Sequence, residues 1–165
     1  MSTRNGRAWW MGLAFAVGLI GALLFLREPA EKLSAEALAS ARRRWEAAGV
    51  RDYDMTFRMH GSLYEVACRD GIVGRMLVNG RSPETVDASA YTVDGLFRVL
   101  EQELDAIAEA AAGGPAGQGG VMARVRFHPA LGYVERYVRG GGGMGRSASI
   151  ELLSFSAASR ADSKN

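Results

Sequence analysis

The sequence predicts an α+β domain of the order α-β-β-β-α-β-β-β, an antiparallel sheet with two helices packed on one face, preceded by an N-terminal transmembrane helix. Three observations predict this architecture. One long segment is apolar and uncharged, two segments show helical apolar spacing with marked ends, and six short segments alternate apolar and polar residues. Tight turns between neighbouring strands favour antiparallel pairing, and two amphipathic helices can cover one face of such a sheet.

Residues 8–26 form a charge-free run of 19 residues. As a helix it would be about 28 Å long, close to the roughly 30 Å of a hydrocarbon core. Trp9 and Trp10 suit the membrane interface. A cleaved signal peptide needs small residues after the apolar run, and Leu26-Arg27-Glu28-Pro29 lacks them. The segment therefore favours an uncleaved anchor, and because no cysteine follows it, lipoprotein anchoring is excluded.

The orientation of this anchor depends on the flanking arginines. Arg4 and Arg7 argue for a cytoplasmic amino end, whereas Arg42, Arg43 and Arg44 argue for the reverse. We expect the exported orientation. The expected organisation is then a cytoplasmic tail (1–7), a transmembrane anchor (8–26), a linker (27–33), a single extracytoplasmic α+β domain (34–156) and a disordered tail (157–165).

The first helix of the domain is predicted over 35–48. Ser34 is a suitable N-cap and Gly49 follows the last helical residue. Leu38, Ala41 and Trp45 recur at helical spacing and form the expected buried stripe.

Three strands follow, predicted over 52–59, 63–69 and 72–78. The turns expected at their ends are His60-Gly61, Asp70-Gly71 and Asn79-Gly80, of which Asp-Gly is a strong two-residue hairpin signal. Residues 81–90 are expected to form a loop.

The central helix is predicted over 91–112. Thr92 can cap its amino end, Asp94 places a carboxylate in the first turn, and Tyr91 and Leu96 have the spacing of a hydrophobic staple. Leu100 continues its apolar stripe. The glycines that follow are expected to end the helix.

The last three strands are predicted over 121–127, 133–139 and 147–155, with glycine-rich connections before and between them. The run 113–120 is not a phosphate-binding loop, because it lacks Gly-Lys-Ser/Thr and follows a helix instead of preceding one.

The composition limits the classes of partner, cofactor and catalytic site that this protein can have. A net charge of +2 argues against a nucleic-acid partner, and one cysteine, Cys68, excludes an internal disulfide. Two histidines leave few metal ligands, so no metal or cofactor is expected. We expect Cys68 to be a buried small side chain and not a nucleophile served by His60. No Gly-x-Ser-x-Gly elbow is present, and a non-catalytic protein is predicted.

The candidate site is a group of basic residues near the carboxyl end. Arg124, Arg126 and His128 alternate along one predicted strand, and Arg136 lies on the returning strand. Adjacent arginines bind carboxylates, phosphates or sulfated sugars in a bidentate manner. Arg139 is separated from Arg136 by an odd number of residues and is therefore expected on the opposite face.

Several of these residues together carry a family resemblance: Trp45, Tyr53, the hairpin ending in Asp70-Gly71, Tyr91-Thr92-Val93-Asp94-Gly95-Leu96-Phe97, and His128-Pro129-Ala130-Leu131-Gly132-Tyr133. Over 41–139 the chain resembles the bacterial family called domain of unknown function 6174. Members are typically exported, often as lipoproteins, which implies an outward-facing domain here. This chain departs from the pattern in having one cysteine where many members have a close pair, and His128 where an acid is usual. The family has no established activity, so the resemblance implies a location without a reaction.

The leading expectation is therefore a bacterial single-pass membrane protein whose extracytoplasmic domain binds an envelope protein or an anionic envelope component. The alternative is an envelope hydrolase with a site assembled from loops 81–90 and 140–146. A third possibility is a structural anchor that dimerises through the small residues Ala14, Gly18 and Ala22. The sequence does not identify the ligand or the oligomeric state.

Overall fold

A computed structural model describes residues 30–84, 86–113, 122–140 and 147–158. The helices in these residues are α1 (Ala35–Ala48) and α2 (Val93–Gly113), with a 3₁₀ helix over Ala88–Tyr91. The strands are β1 (Glu31–Lys32), β2 (Tyr53–Met59), β3 (Ser62–Arg69), β4 (Ile72–Val78), β5 (Met122–Phe127), β6 (Val134–Gly140) and β7 (Ala148–Ala157).

The seven strands form one sheet in the order β1-β5-β6-β7-β2-β3-β4, and every neighbouring pair is antiparallel. Two three-stranded meanders, β2-β3-β4 and β5-β6-β7, meet where β7 pairs with β2, with Met55 opposite Phe155. The predicted α+β class, with two helices and an antiparallel sheet, is confirmed. The strand β1 was not predicted, because two residues are too few to show alternation.

Two tight turns join the strands of the first meander, and a third follows β4. His60-Gly61, Asp70-Gly71 and Asn79-Gly80 each have positive φ at both positions, as a type I′ turn requires. The Asn79 side chain also accepts a hydrogen bond from the Leu63 amide at 2.9 Å. This turn chemistry matches the right-handed twist of the strands and determines their register.

Helix α1 has the predicted bounds and caps. The Ser34 hydroxyl accepts a hydrogen bond from the Ala37 amide at 3.2 Å, and Gly49 ends the helix in the left-handed region with φ 60°. Trp45 packs edge-on against Tyr53 of β2, with ring centroids 5.6 Å apart. The helix therefore lies across the joint between the two meanders.

Helix α2 begins directly after the 3₁₀ helix. The Thr92 hydroxyl accepts a hydrogen bond from the Gly95 amide at 2.9 Å and donates one to the Ser89 carbonyl at 2.8 Å. The Val93 amide donates to the Tyr53 hydroxyl at 3.1 Å. The predicted N-cap is confirmed, and the helix extends to Gly113, one residue beyond the predicted end.

One hydrophobic core lies between the helices and the sheet, and its fully buried members include Phe57, Phe97 and Leu100. Glu103 of α2 accepts hydrogen bonds from the Tyr137 hydroxyl at 2.8 Å and from Arg139 at 2.7 Å. These bonds attach α2 to β6.

Within the described residues, no helix combines the length and the apolar composition needed to cross a membrane. The predicted anchor, 8–26, lies outside the described residues and stays a prediction.

Candidate functional site

The second face of the sheet carries no helix in the described part of the chain. Both helices pack on the face that Tyr53, Phe127 and Phe155 line. On each strand the residues between the buried ones point away from the helices. We call this side the open face. Its members include Arg58, Arg75, Met122, Arg124, Arg126, Arg136, Val138 and Glu151.

Strand register forms a charged row across the open face. Arg126 of β5 lies opposite Arg136 of β6, which lies opposite Glu151 of β7, which lies opposite Arg58 of β2. The Arg58 guanidinium is 3.7 Å from the Glu151 carboxylate, and the Arg126 Nε is 2.8 Å from a carboxylate oxygen of Glu135. These two ion pairs are partly exposed, so solvent weakens them.

Arg136 is the exception in this row. No carboxylate in the described residues lies within 4.0 Å of its guanidinium. It also faces Arg126 directly across the strands, and like charges in that arrangement are unfavourable. An anion bound between the two guanidinium groups would remove this repulsion.

Two more cations lie beside this pair. Arg124 is two residues before Arg126 on the same face, and Lys32 of the edge strand β1 lies opposite Arg124. We call Lys32, Arg124, Arg126 and Arg136 the basic patch. Arginine presents a planar set of donors that matches carboxylate and phosphate oxygens, so the patch suits an anion.

Two exposed apolar side chains accompany the basic patch. Met122 is 62 % exposed and Val138 is 39 % exposed. Val138 lies opposite Arg124 across β5 and β6. Lys32, Met122 and Val138 were missed in the sequence. Met122 and Val138 each stand two residues from an arginine, so strand alternation could have found them, whereas Lys32 lies in a strand too short to predict.

The structure does not bring His128 to the basic patch. Strand β5 ends at Phe127, and the β5–β6 register shifts between Arg126 and Phe127. His128 therefore lies in the turn, where its Nδ1 accepts a hydrogen bond from the Leu131 amide at 3.0 Å and its ring packs on Tyr133. Arg124 and Arg126 share a strand face as predicted, but His128 does not extend that row, because β5 ends at Phe127 and the hydrogen bond from the Leu131 amide holds the imidazole in the turn. Arg139, in contrast, lies on the helix side as predicted.

Cys68 and His60 are far apart. Cys68 lies opposite Tyr53, at the start of β2, whereas His60 follows the end of β2, which places them about 20 Å apart. Cys68 is fully buried, and burial raises the pKa of its thiol. This arrangement does not form a thiol–imidazole pair.

Two grooves on the described part of the molecule have volumes of about 400 and 280 Å³. Glu31, Glu36 and Arg44 are charged residues of the first, and Glu101 and Asp105 are acids of the second. Neither groove is lined by a histidine or a cysteine. No group of three potential metal-ligating acids, histidines or cysteines occurs in the described ranges.

The two loops of the predicted hydrolase site leave the same end of the sheet. Strands β7, β2 and β3 stand between β6 and β4, so the ends of β6 and β4 are four strand spacings, or about 19 Å, apart. Residues 141–146 lie outside the described residues. The hydrolase alternative stays a prediction that no observed feature favours.

No protein-family model, no curated protein and no solved structure matches this chain. The resemblance to the family called domain of unknown function 6174 therefore stays a prediction.

Proposed function

We propose that this protein is a membrane-anchored, extracytoplasmic, non-catalytic domain that binds an anionic component of the cell envelope through the basic patch. One observation carries the proposal. Arg136 faces Arg126 across neighbouring strands and has no carboxylate within ion-pairing distance in the described residues.

The chemistry of the patch supports an anionic ligand. Arg124, Arg126 and Arg136 lie on two hydrogen-bonded strands, so their backbones are held by the sheet before a ligand arrives. A ligand that meets preorganised donors loses less affinity to ordering than one that must arrange flexible loops. Phosphate, sulfate and carboxylate groups all match the donor geometry of arginine.

Binding can be measured with the full chain in a nonionic detergent, using dextran sulfate as the anionic probe and uncharged dextran as the control polymer. We expect dextran sulfate to bind and added salt to weaken the binding, because exposed charges are screened. The double variant Arg124→Glu, Arg136→Glu should lower the affinity about tenfold or more.

The matched control is Arg75→Glu, on the same open face but on β4 at the far edge of the sheet. It should retain the affinity of the parent protein. Equal binding of the two polymers, or equal losses in the double variant and the control, would show that the basic patch is not a specific anion site.

A further inference from the structure

We propose that the anionic component is the headgroup layer of the protein's own membrane. The open face docks on anionic phospholipids through Lys32, Arg124, Arg126 and Arg136, with Met122 and Val138 entering the interface. This inference rests on the proposed function, and it names the ligand of the same patch.

The first argument is the length of the connection to the membrane. The predicted span ends at residue 26, and β1 begins at Glu31. Five residues reach at most about 17 Å when extended. Strand β1 is the edge strand beside β5, so the part of the sheet that carries the basic patch is the part held closest to the lipid.

This short connection makes docking an intramolecular event. Weak contacts suffice in that case, because the effective concentration of the lipid surface at the patch is high. A basic side chain near an anionic membrane raises the affinity about fivefold, and several such residues act together.

The second argument is the composition of the patch. Membrane surfaces bind faces that combine lysine and arginine with exposed apolar side chains, since the cations meet phosphates and the apolar groups enter the acyl boundary. The basic patch combines four cations with Met122 and Val138, whose exposed fractions are 62 % and 39 %. A soluble polyanion would make use of the cations but would leave these two side chains in water.

The far edge of the open face has a different composition. On β2 and β3, Asp54 forms an ion pair with Arg69, with oxygen and nitrogen 3.0 Å apart, and Glu65 lies on the neighbouring row. With Glu151 of the adjoining β7 included, this part of the open face has equal numbers of bases and acids: Arg58, Arg69 and Arg75 against Asp54, Glu65 and Glu151. The four cations of the basic patch have one ion-paired carboxylate, Glu135. An anionic surface therefore attracts the β1–β5–β6 end in preference to the β3–β4 end.

The test uses a fluorescent reporter in the full chain. The native thiol of Cys68 is fully buried, so Val138→Cys provides a thiol at the patch that an environment-sensitive nitrobenzoxadiazole label can reach. The matched control is Ile72→Cys on the opposite edge strand β4, where Ile72 is 72 % exposed. Each labelled chain is reconstituted into phosphatidylcholine vesicles with or without phosphatidylglycerol.

We expect the label at position 138 to show blue-shifted, more intense emission when phosphatidylglycerol is present, and to be quenched by spin-labelled lipid. Salt and the double variant Arg124→Glu, Arg136→Glu should each remove the shift, whereas Arg75→Glu should retain it. The label at position 72 should respond to neither lipid composition. An unchanged thermal unfolding midpoint confirms that the double variant is folded.

Several outcomes would overturn the inference. The inference falls if the label at position 138 reports the same environment in both vesicles, or if the label at position 72 responds equally. A shift that grows with the protein-to-lipid ratio would identify a second copy of the chain as the occupant of the open face. Release of the protein from membranes by alkaline carbonate would show that it has no membrane-spanning anchor, and the argument from the short connection would then fail. If dextran sulfate binds the patch and lipid does not, the proposed function stands and the docking inference falls.

Discussion

Thr92 holds the start of α2 with one hydroxyl group that both accepts and donates a hydrogen bond. Three residues further on, a Cβ at Gly95 would collide with the Ala90 carbonyl, so the 3₁₀ helix and α2 approach each other at a point where only glycine fits. Tyr91 stacks on Tyr64, with ring centroids 4.8 Å apart. The residues that carry the family resemblance at this position therefore have structural reasons to be there.

Thr92→Ala should lower the free energy of unfolding by about 1–2 kcal/mol, because the Gly95 amide loses its partner and the Ser89 carbonyl loses a donor. Thr92→Ser retains the hydroxyl and should be nearly neutral. The measurement is urea unfolding of the chain from residue 27 onward, compared by midpoint and slope. Unchanged stability in Thr92→Ala together with lost binding of dextran sulfate would identify the motif as a binding site instead.

Side-chain direction at the candidate site was predictable only where strand alternation held. Arg136 and Arg139 lie on opposite faces as their odd spacing predicts, and Glu103 on α2 pairs with Arg139. The place of His128 was not predictable in this way, because it lies just past the end of β5, where a hydrogen bond from the Leu131 amide sets the direction of the imidazole.

At the scale of elements, local chemistry determined what could be predicted. Helix α1 has the predicted bounds because Ser34 and Gly49 are strong end signals, and the first meander has the predicted turns because Asp70-Gly71 and Asn79-Gly80 accept positive φ. Residues 88–90 of the 3₁₀ helix were predicted as loop and Tyr91 as the start of the central helix, which begins at Val93, since one turn carries no periodicity. The order of the strands depends on contacts distant in sequence, which local patterns do not contain.

Gly132 connects two elements in a way that a substitution can test. It lies in the β5–β6 turn with φ +81°, and a Cβ there would collide with the Ala41 carbonyl of α1 and lie 3.0 Å from the Arg44 Cβ. Gly132→Ala should therefore lower the free energy of unfolding by about 2–4 kcal/mol, from backbone strain and overpacking together.

Gly61→Ala is the matched control. Its φ of +84° is nearly the same, but a Cβ at Gly61 would meet nothing within 4 Å. Gly61→Ala should lower the free energy of unfolding only through backbone strain, by about 1 kcal/mol. If the two substitutions lower the free energy of urea unfolding equally, the β5–β6 turn does not lie close enough to α1 for a Cβ at Gly132 to collide with it.

At the scale of the whole molecule, three tyrosines are buried and the pKa of each of their hydroxyls is raised. Burial raises the pKa of Tyr133 to about 12, with a smaller contribution from Glu135, and burial also raises the pKa of Tyr53 and Tyr137. Burial raises the pKa of the Cys68 thiol as well. Each of these groups keeps its proton longer in the folded state than in the unfolded chain.

The free energy of unfolding should therefore fall as the pH rises, because the unfolded chain binds fewer protons. The decline should begin above about pH 8.5 through Cys68 and steepen above about pH 10, where each tyrosine adds a slope of up to about 1.4 kcal/mol per pH unit. Urea unfolding from pH 8 to about pH 11 measures it. Cys68→Ala should remove the early part only, and a flat profile above pH 10 would contradict the buried state of the tyrosines.

The expected location of the domain makes a separate prediction. Alkaline phosphatase fused after Asn165 should be active, because that enzyme needs an oxidising compartment to form its disulfides. The same fusion made without residues 1–26 is the control and should be inactive. Activity of a reporter that works only in the cytoplasm would reverse the predicted orientation.

The joint between β2 and β7 also governs how the sheet can be completed during synthesis. Strand β2 is made early and gains its partner β3 at once across a two-residue turn, yet its other edge waits for β7, the last of the seven strands, with Met59 paired to Ile150. Until then the nascent chain presents an unpaired inner strand, the kind of edge that templates aggregation. Closing so long a loop also slows folding. A chain that stops before Ala148 would thus leave one edge of β2 unpaired in the middle of the sheet. The emerging chain therefore needs earlier protection from aggregation than a protein of this size would suggest.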